Sequence, residues 1–297
     1  MRVFVTGATG FIGSTLVEDL IDAGHEVIGL TRSEAGAQAL AAAGAEPHRG
    51  SLDDLESLRR GAARADGVVH LAFNHDFSTY MANCEDDRRV IEALGSALAG
   101  SDRPLLVTSG AAMAAVQGRP ATEEDPPAPA TAIPRAASEE AAEALAARGV
   151  NAGVVRLPQV HDTRKQGLVT YAIEVARATG VSAYVGDGAN RWPAAHRVDT
   201  ARLYRLALER AEPGARYHAV AEEGVAMRDI AEALGSRLGL PTRSIAPEEA
   251  PAHFGWLGMF AGSDSTASSA LTRRWLDWRP TGPTLIADLE RLELAEA

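Results

Sequence analysis

Three glycines, Gly7, Gly10 and Gly13, punctuate the first thirteen residues, Met-Arg-Val-Phe-Val-Thr-Gly-Ala-Thr-Gly-Phe-Ile-Gly. They follow a short apolar run and open an amphipathic one. That spacing suits a dinucleotide. Gly7 lets the chain turn sharply out of a strand, Gly10 lets the backbone approach a pyrophosphate without a Cβ in the way, and Gly13 lets the next helix pack close to a sheet. A helix starting near Phe11 aims free N–H groups and its positive dipole end at the phosphates. Thr9, Phe11 and Ile12 lie in the same turn and are expected against the cofactor. A glycine triplet alone is a weak signal. Here Gly24 closes the helix and a second strand follows at Glu26–Leu30, which makes the reading specific.

That second strand ends Gly29-Leu30-Thr31-Arg32-Ser33. In folds selective for NAD an acidic residue usually stands there and bonds the ribose hydroxyls. Arg32 and Ser33 instead offer a guanidinium and a hydroxyl where a 2′-phosphate would sit, which predicts NADP over NAD. Asp53, in Gly50-Ser51-Leu52-Asp53-Asp54, is placed to accept from the adenine amino group, to cap the helix that follows, or both. Leu71-Ala72-Phe73 ends a fourth strand, where small residues let the ribose lie against the backbone.

These residues need a frame. Candidate strands at Val3–Thr6, Val27–Leu30, Gly67–Leu71, Leu105–Thr108 and Gly153–Arg156 alternate with helical periodicity at Ile12–Ala23, Ser33–Ala43, Leu52–Ala63, Cys84–Ala99 and Ala136–Arg148. Alternation of this kind implies an α/β fold, a doubly wound parallel sheet. Residues 1–160 are expected to form the dinucleotide-binding domain, completed by about 190–222. Residues 161–189 and 223–297 are expected to form a smaller substrate-binding part. After Arg156, helices are expected near Val169–Thr179, Thr200–Arg210 and Met227–Leu238 and a strand at Ala215–Val220. Pro120–Pro134 reads as a long loop at the C-terminal edge of the sheet, and the tail Ala252–Ala270 suits a lid.

The 297 residues carry 46% hydrophobic and 23% charged residues, ordinary for a globular protein. A net charge of −11 argues against non-specific nucleic-acid binding. No apolar run is long enough to span a bilayer, and the chain enters a strand at once, which predicts no signal peptide and a cytoplasmic protein. Cys84 is the single cysteine, so neither an intrachain disulfide nor a cysteine metal cluster can form. No metal-ligand spacing is present. Lys165 is the single lysine.

The chain resembles the extended and atypical branches of the short-chain dehydrogenase/reductase superfamily, the NAD-dependent epimerase/dehydratase-like proteins. The matching elements are Thr6 to Gly13, Val69-His70-Leu71-Ala72, Asn83, Leu106-Val107-Thr108-Ser109-Gly110, Val155-Arg156-Leu157-Pro158, Gly186-Asp187-Gly188, and His196 with Asp199. The resemblance implies that Thr108 lies by the cofactor, that Ser109 hydrogen-bonds a substrate carbonyl and that Asn83 supports a proton-relay water. It also implies a tyrosine acid with a lysine four residues later. The aligned stretch is Pro134-Arg135-Ala136-Ala137-Ser138-Glu139-Glu140, with Arg135 at the tyrosine place and Glu139 at the lysine place, and none of the five tyrosines has a lysine four residues on.

Arg135 cannot act as an acid at neutral pH. It can stabilise an alkoxide, or pair with Glu139 one helical turn later. The proton must come from elsewhere. His161, just past a strand end and beside Asp162, is the first candidate, and Tyr184 the second. Asp199 is placed to cap the helix at Thr200. Arg191 and Trp192 are candidate substrate contacts, and Phe254 and Trp256 a candidate apolar lip.

The reading that follows is an NADP-dependent oxidoreductase transferring hydride to a carbonyl or imine of a small, fairly hydrophobic molecule. The alternatives are an NADP(H)-binding sensor without turnover, an NAD(P)-dependent epimerase or dehydratase, and a non-redox cyclase. The expected partner is the small-molecule substrate, with no nucleic acid and no membrane. The helices Cys84–Ala99 and Ala136–Arg148 allow a homodimer, although five charged residues, 85–89, at the start of the first suit a monomer.

Overall fold

The computed structural model describes residues 1–114, 116 and 118–293. Near-continuous apolar strands alternate with amphipathic helices. The order is β1 (Arg2–Thr6), α1 (Phe11–Asp22), β2 (Glu26–Thr31), α2 (Glu34–Ala42), β3 (Glu46–Arg49), α3 (Leu55–Ala63), β4 (Gly67–His70), α4 (Tyr80–Leu98), β5 (Leu105–Gly110), α5 (Ala137–Ala147) and β6 (Ala152–Leu157). Then come β7 (Gln159–His161), α6 (Val169–Thr179), β8 (Ser182–Val185), β9 (Arg191–His196), α7 (Arg197–Arg210), β10 (Arg216–His218), β11 (Glu222–Ala226), α8 (Met227–Leu238) and β12 (Thr242–Ile245). Four short helices end the chain: α9 (Ala250–Phe254), α10 (Gly258–Ala261), α11 (Ala270–Leu276) and α12 (Leu285–Glu290).

The large sheet has the order β10-β6-β5-β4-β1-β2-β3, with every pair parallel. Its inner strands are buried on both faces, as parallel sheets require, while the edge strand β3 is half exposed. Alternation along β1 sends Val3 and Val5 into one core, with Leu16, Leu20, Leu203, Tyr204 and Trp278, and Phe4 into the other, with Leu58, Ile91, Leu94 and Leu145. Helices α1 and α7 cover the first face; α3, α4 and α5 cover the second. Strand order reverses beside β1, between β2 and β4, where open sheets of this kind bind dinucleotides. The doubly wound α/β expectation is met.

A three-stranded sheet, β11-β9-β7, and a parallel pair, β12-β8, carry a third core around Trp192, Ile230, Phe254 and Leu285. The loop Pro120–Pro134 docks on the C-terminal segment, with Ala121 bridging to Ala267 and buried Glu123 accepting from the Thr272 backbone and hydroxyl. Among the described residues no helix is long and apolar enough to cross a membrane.

Two capping expectations are corrected. Asp54, not Asp53, accepts from Ser57 N–H (2.9 Å) and caps α3, because α3 begins at Leu55. Helix α7 begins at Arg197, three residues early, and the His196 side chain caps it. Asp199 therefore lies inside the first turn, where its carboxylate accepts from Thr281 and Gly282 N–H and anchors the tail.

Candidate active site

The turn after β1 is built for close approach. Gly7 has φ +69°, in the left-handed region, and a Cβ on it would lie 2.9 Å from Ala72 N. A Cβ on Gly13 would lie 2.0 Å from the Gly7 carbonyl oxygen, so glycine is what lets α1 start here. Gly10 closes the turn by donating to Gly7 C=O (2.8 Å). As the N-cap of α1 it brings no side-chain cap, so the first-turn N–H groups stay free for an anion. Thr9 and Gly10 are exposed, and Phe11 and Ile12 half-buried. This cradle fits the diphosphate of a dinucleotide.

Two cations stand over the Phe11 ring: Lys165 Nζ at 5.9 Å and the Arg197 guanidinium at 5.5 Å from its centroid. Lys165, the single lysine, follows no tyrosine at the family spacing, and nothing local marked it for the site. The β7–α6 loop returns it to the mouth of the glycine turn. At the β2 end Arg32 is exposed, and no carboxylate lies within ion-pair distance of it among the described residues. Ser33 caps α2, its Oγ accepting from Gly36 N–H (3.0 Å), which leaves the hydroxyl proton free for another partner. Asp53 is exposed.

Toward β4 and β5 the chemistry changes. Ala72 N–H donates to Thr6 Oγ1 (3.2 Å), and Thr6 Oγ1 meets His70 Nδ1 (2.7 Å). His70 Nε2 meets Asp87 Oδ1 (2.9 Å) on α4. Arg135 completes the run. Its guanidinium donates to Asp87 Oδ2 (3.1 Å), to Ser138 Oγ and to the Thr108 carbonyl (3.0 Å), and stacks 4.2 Å over the Phe73 ring. Burial pushes the Asp87 carboxyl up, but Arg135, His70 and the hydrogen bonds from His70 and Ser138 outweigh it and hold the group below the usual carboxylate range. The Thr108 hydroxyl turns inward, donating to His70 C=O (2.6 Å) and meeting Tyr204 Oη (2.7 Å).

Glu139 does not pair with Arg135. It reaches the opposite way, because Arg156 on β6 fills the space beneath it. Arg156 Nη2 donates to Glu139 Oε2 (2.8 Å) and Nε to Oε1 (3.0 Å), with both side chains 0% exposed. Ser109, in register with Arg156, donates its hydroxyl to Glu139 Oε1 (2.6 Å). Arg156 Nη1 continues to the Asp125 carbonyl and to His218 Nε2 (3.2 Å). Sequence reading missed Asp87, His70, Arg156 and His218 as members of these networks. Only the single lysine and the missing tyrosine hinted that other charges occupy the site.

Several of the expected contacts are engaged by other groups of the protein. His161 is fully buried, with Nδ1 on Asp288 Oδ2 (2.7 Å) of α12 and Nε2 facing Glu222 at 3.9 Å. Burial pushes its pKa down, against the pull of Asp288, and the hydrogen bond ties α12 to the small sheet. Asn83 is spent on the loop before α4, accepting from Asn74 and Thr79 and donating to Asp76 C=O. Tyr184 is half-buried under Arg228. Arg191 pairs with Asp264 (3.4 Å). Trp192 and Phe254 belong to the third core, Trp192 donating to Ser263 C=O. Large aromatics gain most by burial, which overrides their use as contacts.

Trp256 differs. It is 38% exposed and stacks on Phe77 (4.2 Å, 16°), with Tyr171 edge-on at 4.9 Å. Phe77 in turn stacks on Tyr80, and His75 joins Phe73 to Phe77 edge-on. The clasp links the segment after β4 to the C-terminal tail. Desolvation, then the charges of Lys165 and Arg135, push the His75 imidazole below its ordinary value.

The comparisons with known proteins agree with this frame. Residues 3–221 match the model of the NAD dependent epimerase/dehydratase family. An uncharacterized protein of Schizosaccharomyces pombe is 49% identical over 292 residues, 97% of this chain and 98% of the relative. The 2-alkyl-3-oxoalkanoate reductase of Stenotrophomonas maltophilia is 29% identical over 262 residues, 81% of this chain and 77% of the relative. Among solved structures, the dTDP-glucose 4,6-dehydratase DesIV of Streptomyces venezuelae, with NAD bound, superposes with a TM-score of 0.78 at 22% identity, covering 98% of this chain and 95% of that one. The chain belongs to the NAD dependent epimerase/dehydratase family.

Proposed function

We propose that this chain is an NADP-dependent oxidoreductase that moves hydride between the cofactor and a carbonyl or imine carbon of a small, fairly hydrophobic molecule. The observation that carries the reading is the placement of Arg135. It is pinned to the Thr108 carbonyl on β5 and stacked on Phe73 after β4, one strand across from the glycine turn of β1. A dinucleotide laid across that reversal point puts its adenine ribose toward Arg32 and its nicotinamide toward Arg135.

The residues divide the work. The Gly10 cap and the α1 N-terminus, with Lys165 and Arg197 nearby, hold the diphosphate. Arg32 and the free Ser33 hydroxyl take the 2′-phosphate. Bound there, the cofactor supplies or accepts the hydride. Arg135, fixed by Asp87, stabilises negative charge on the substrate oxygen without giving up a proton, and the alkoxide takes its proton from water. The Phe77–Trp256 clasp excludes water over an apolar substrate. Family membership and the similarity to a reductase support the redox reading.

A specific observation favours a second reading. Arg135 and Ser109 each already bond an internal carboxylate, Asp87 and Glu139, which suits a protein that binds NADP(H) and reports on it without turnover. The deciding experiment measures NADPH oxidation on a panel of hydrophobic ketones, aldehydes and cyclic imines, and NADP⁺ reduction on the matching alcohols, with cofactor binding by calorimetry. Turnover on any class upholds the oxidoreductase. Tight cofactor binding with no turnover in either direction sinks it and supports the sensor.

A further inference from the structure

Ser109 owns one proton, and the structure shows where it goes. The hydroxyl donates to Glu139 Oε1 at 2.6 Å, within the range of a charge-assisted O–H···O⁻ bond. Glu139 is held by the bidentate Arg156, with neither side chain exposed, and Arg216 Nε lies 3.8 Å from its second oxygen. A carboxylate in this setting accepts and does not donate. Ser109 Oγ therefore keeps only lone pairs for anything else that touches it. To donate to a neutral carbonyl, it would have to exchange a bond to an anion for one about half as strong.

We propose that Glu139 is a positioning residue that makes Ser109 a hydrogen-bond acceptor, so that the group docked at Ser109 is a donor. That donor is the hydroxyl of an alcohol or the N–H of an amine, and the site favours the reduced form of its substrate. The proposal rests on the hydride-transfer reading for its kinetic test, and on the side-chain network alone for its chemical test. It reverses the role that the family resemblance implied for Ser109.

The kinetic test uses matched pairs, 1-phenylethanol with acetophenone and 2-octanol with 2-octanone, each with its cofactor. Ser109→Ala is expected to raise KM for the alcohol about tenfold, the scale of one hydrogen bond, and to leave KM for the ketone within about twofold. A ketone KM that rises as far as the alcohol KM overturns the proposal. The chemical test needs no substrate. In Ser109→Cys the new thiol stands against the carboxylate, and its ionisation is followed against pH by the ultraviolet absorbance of the thiolate, which needs no reagent to enter the buried site, with wild type as the background for buried Cys84. A titration displaced upward by about one unit or more, and relaxed when Glu139→Gln/Arg156→Leu is added, upholds the contact. The double change removes both charges, so no lone buried ion remains to unfold the protein. Identical titrations in the two backgrounds overturn the proposal. If no pair turns over, the function reading falls and the thiol titration still decides this one.

Discussion

The two ends of the crevice are built on different principles. At the adenine end, beside β2 and β3, the polar groups face solvent: Arg32 stands unpaired among the described residues and Ser33 keeps its proton. At the reacting end, beside β4, β5 and β6, the polar groups are buried and answered by another: Thr6, His70, Asp87 and Arg135 in one run, Ser109, Glu139, Arg156 and His218 in another. The open end can change partner at little cost to the fold. The closed end cannot, because removing one member strands a charge away from water. Ligand choice and stability are thus separable at one end and fused at the other.

The largest expected effect lies at the closed end. Arg156→Met leaves Glu139 without its cation, and urea denaturation is expected to show a loss of about 3–5 kcal/mol. A loss under about 1 kcal/mol would mean that the reacting end is not a closed network. His218 extends the same network in pH. Burial first, then the Arg156 charge, push its pKa from 6.5 to about 4. Its folded value is lowered, so the unfolded chain binds more protons between these values. The stability it contributes is present above about pH 6.5 and is lost as pH falls toward 4, by about 3 kcal/mol in all. Thermal melts across that window should flatten in His218→Asn.

The open end should respond in affinity alone. Arg32→Ala is expected to weaken NADPH binding by about 1.5–3 kcal/mol, the scale of a charge-assisted hydrogen bond, and to leave NADH and the melting temperature almost unchanged. Lys165→Ala, acting on the diphosphate shared by both cofactors, should weaken NADPH and NADH alike in the same titration. If the two variants exchange these patterns, the assignment of the 2′-phosphate to Arg32 is wrong. The smallest effect belongs to the clasp: Trp256→Ala removes a stacked pair worth about 0.5–1.5 kcal/mol, seen as a small fall in stability with a rise in KM for apolar substrates.

The same division explains what the sequence revealed. Local rules govern the open end, so the glycine turn and the strand that ends at Arg32 could be read along the chain, as could the helices Val169–Thr179 and Met227–Leu238 of the smaller part. The closed end is made by pairings across 30 residues for Ser109 with Glu139 and 48 for Arg135 with Asp87, and in the smaller part His161 meets Asp288 across 127. No periodicity announces such partners. Arg135 and Glu139 are one turn apart and look paired on paper, yet each had a better-placed opposite charge on another element. Trp192 and Phe254 failed for a different reason: an aromatic residue signals a core and a pocket equally, and only packing separates the two.

The central claim is that hydride passes between NADP and a carbon held beside Arg135. NADPH carrying deuterium at C4, prepared separately on each face, tests it most directly, with the products of the carbonyl and imine panel read by mass spectrometry. The account predicts one deuterium on the reduced carbon from one face and none from the other. Cofactor that binds tightly yet delivers deuterium from neither face to any product would contradict it.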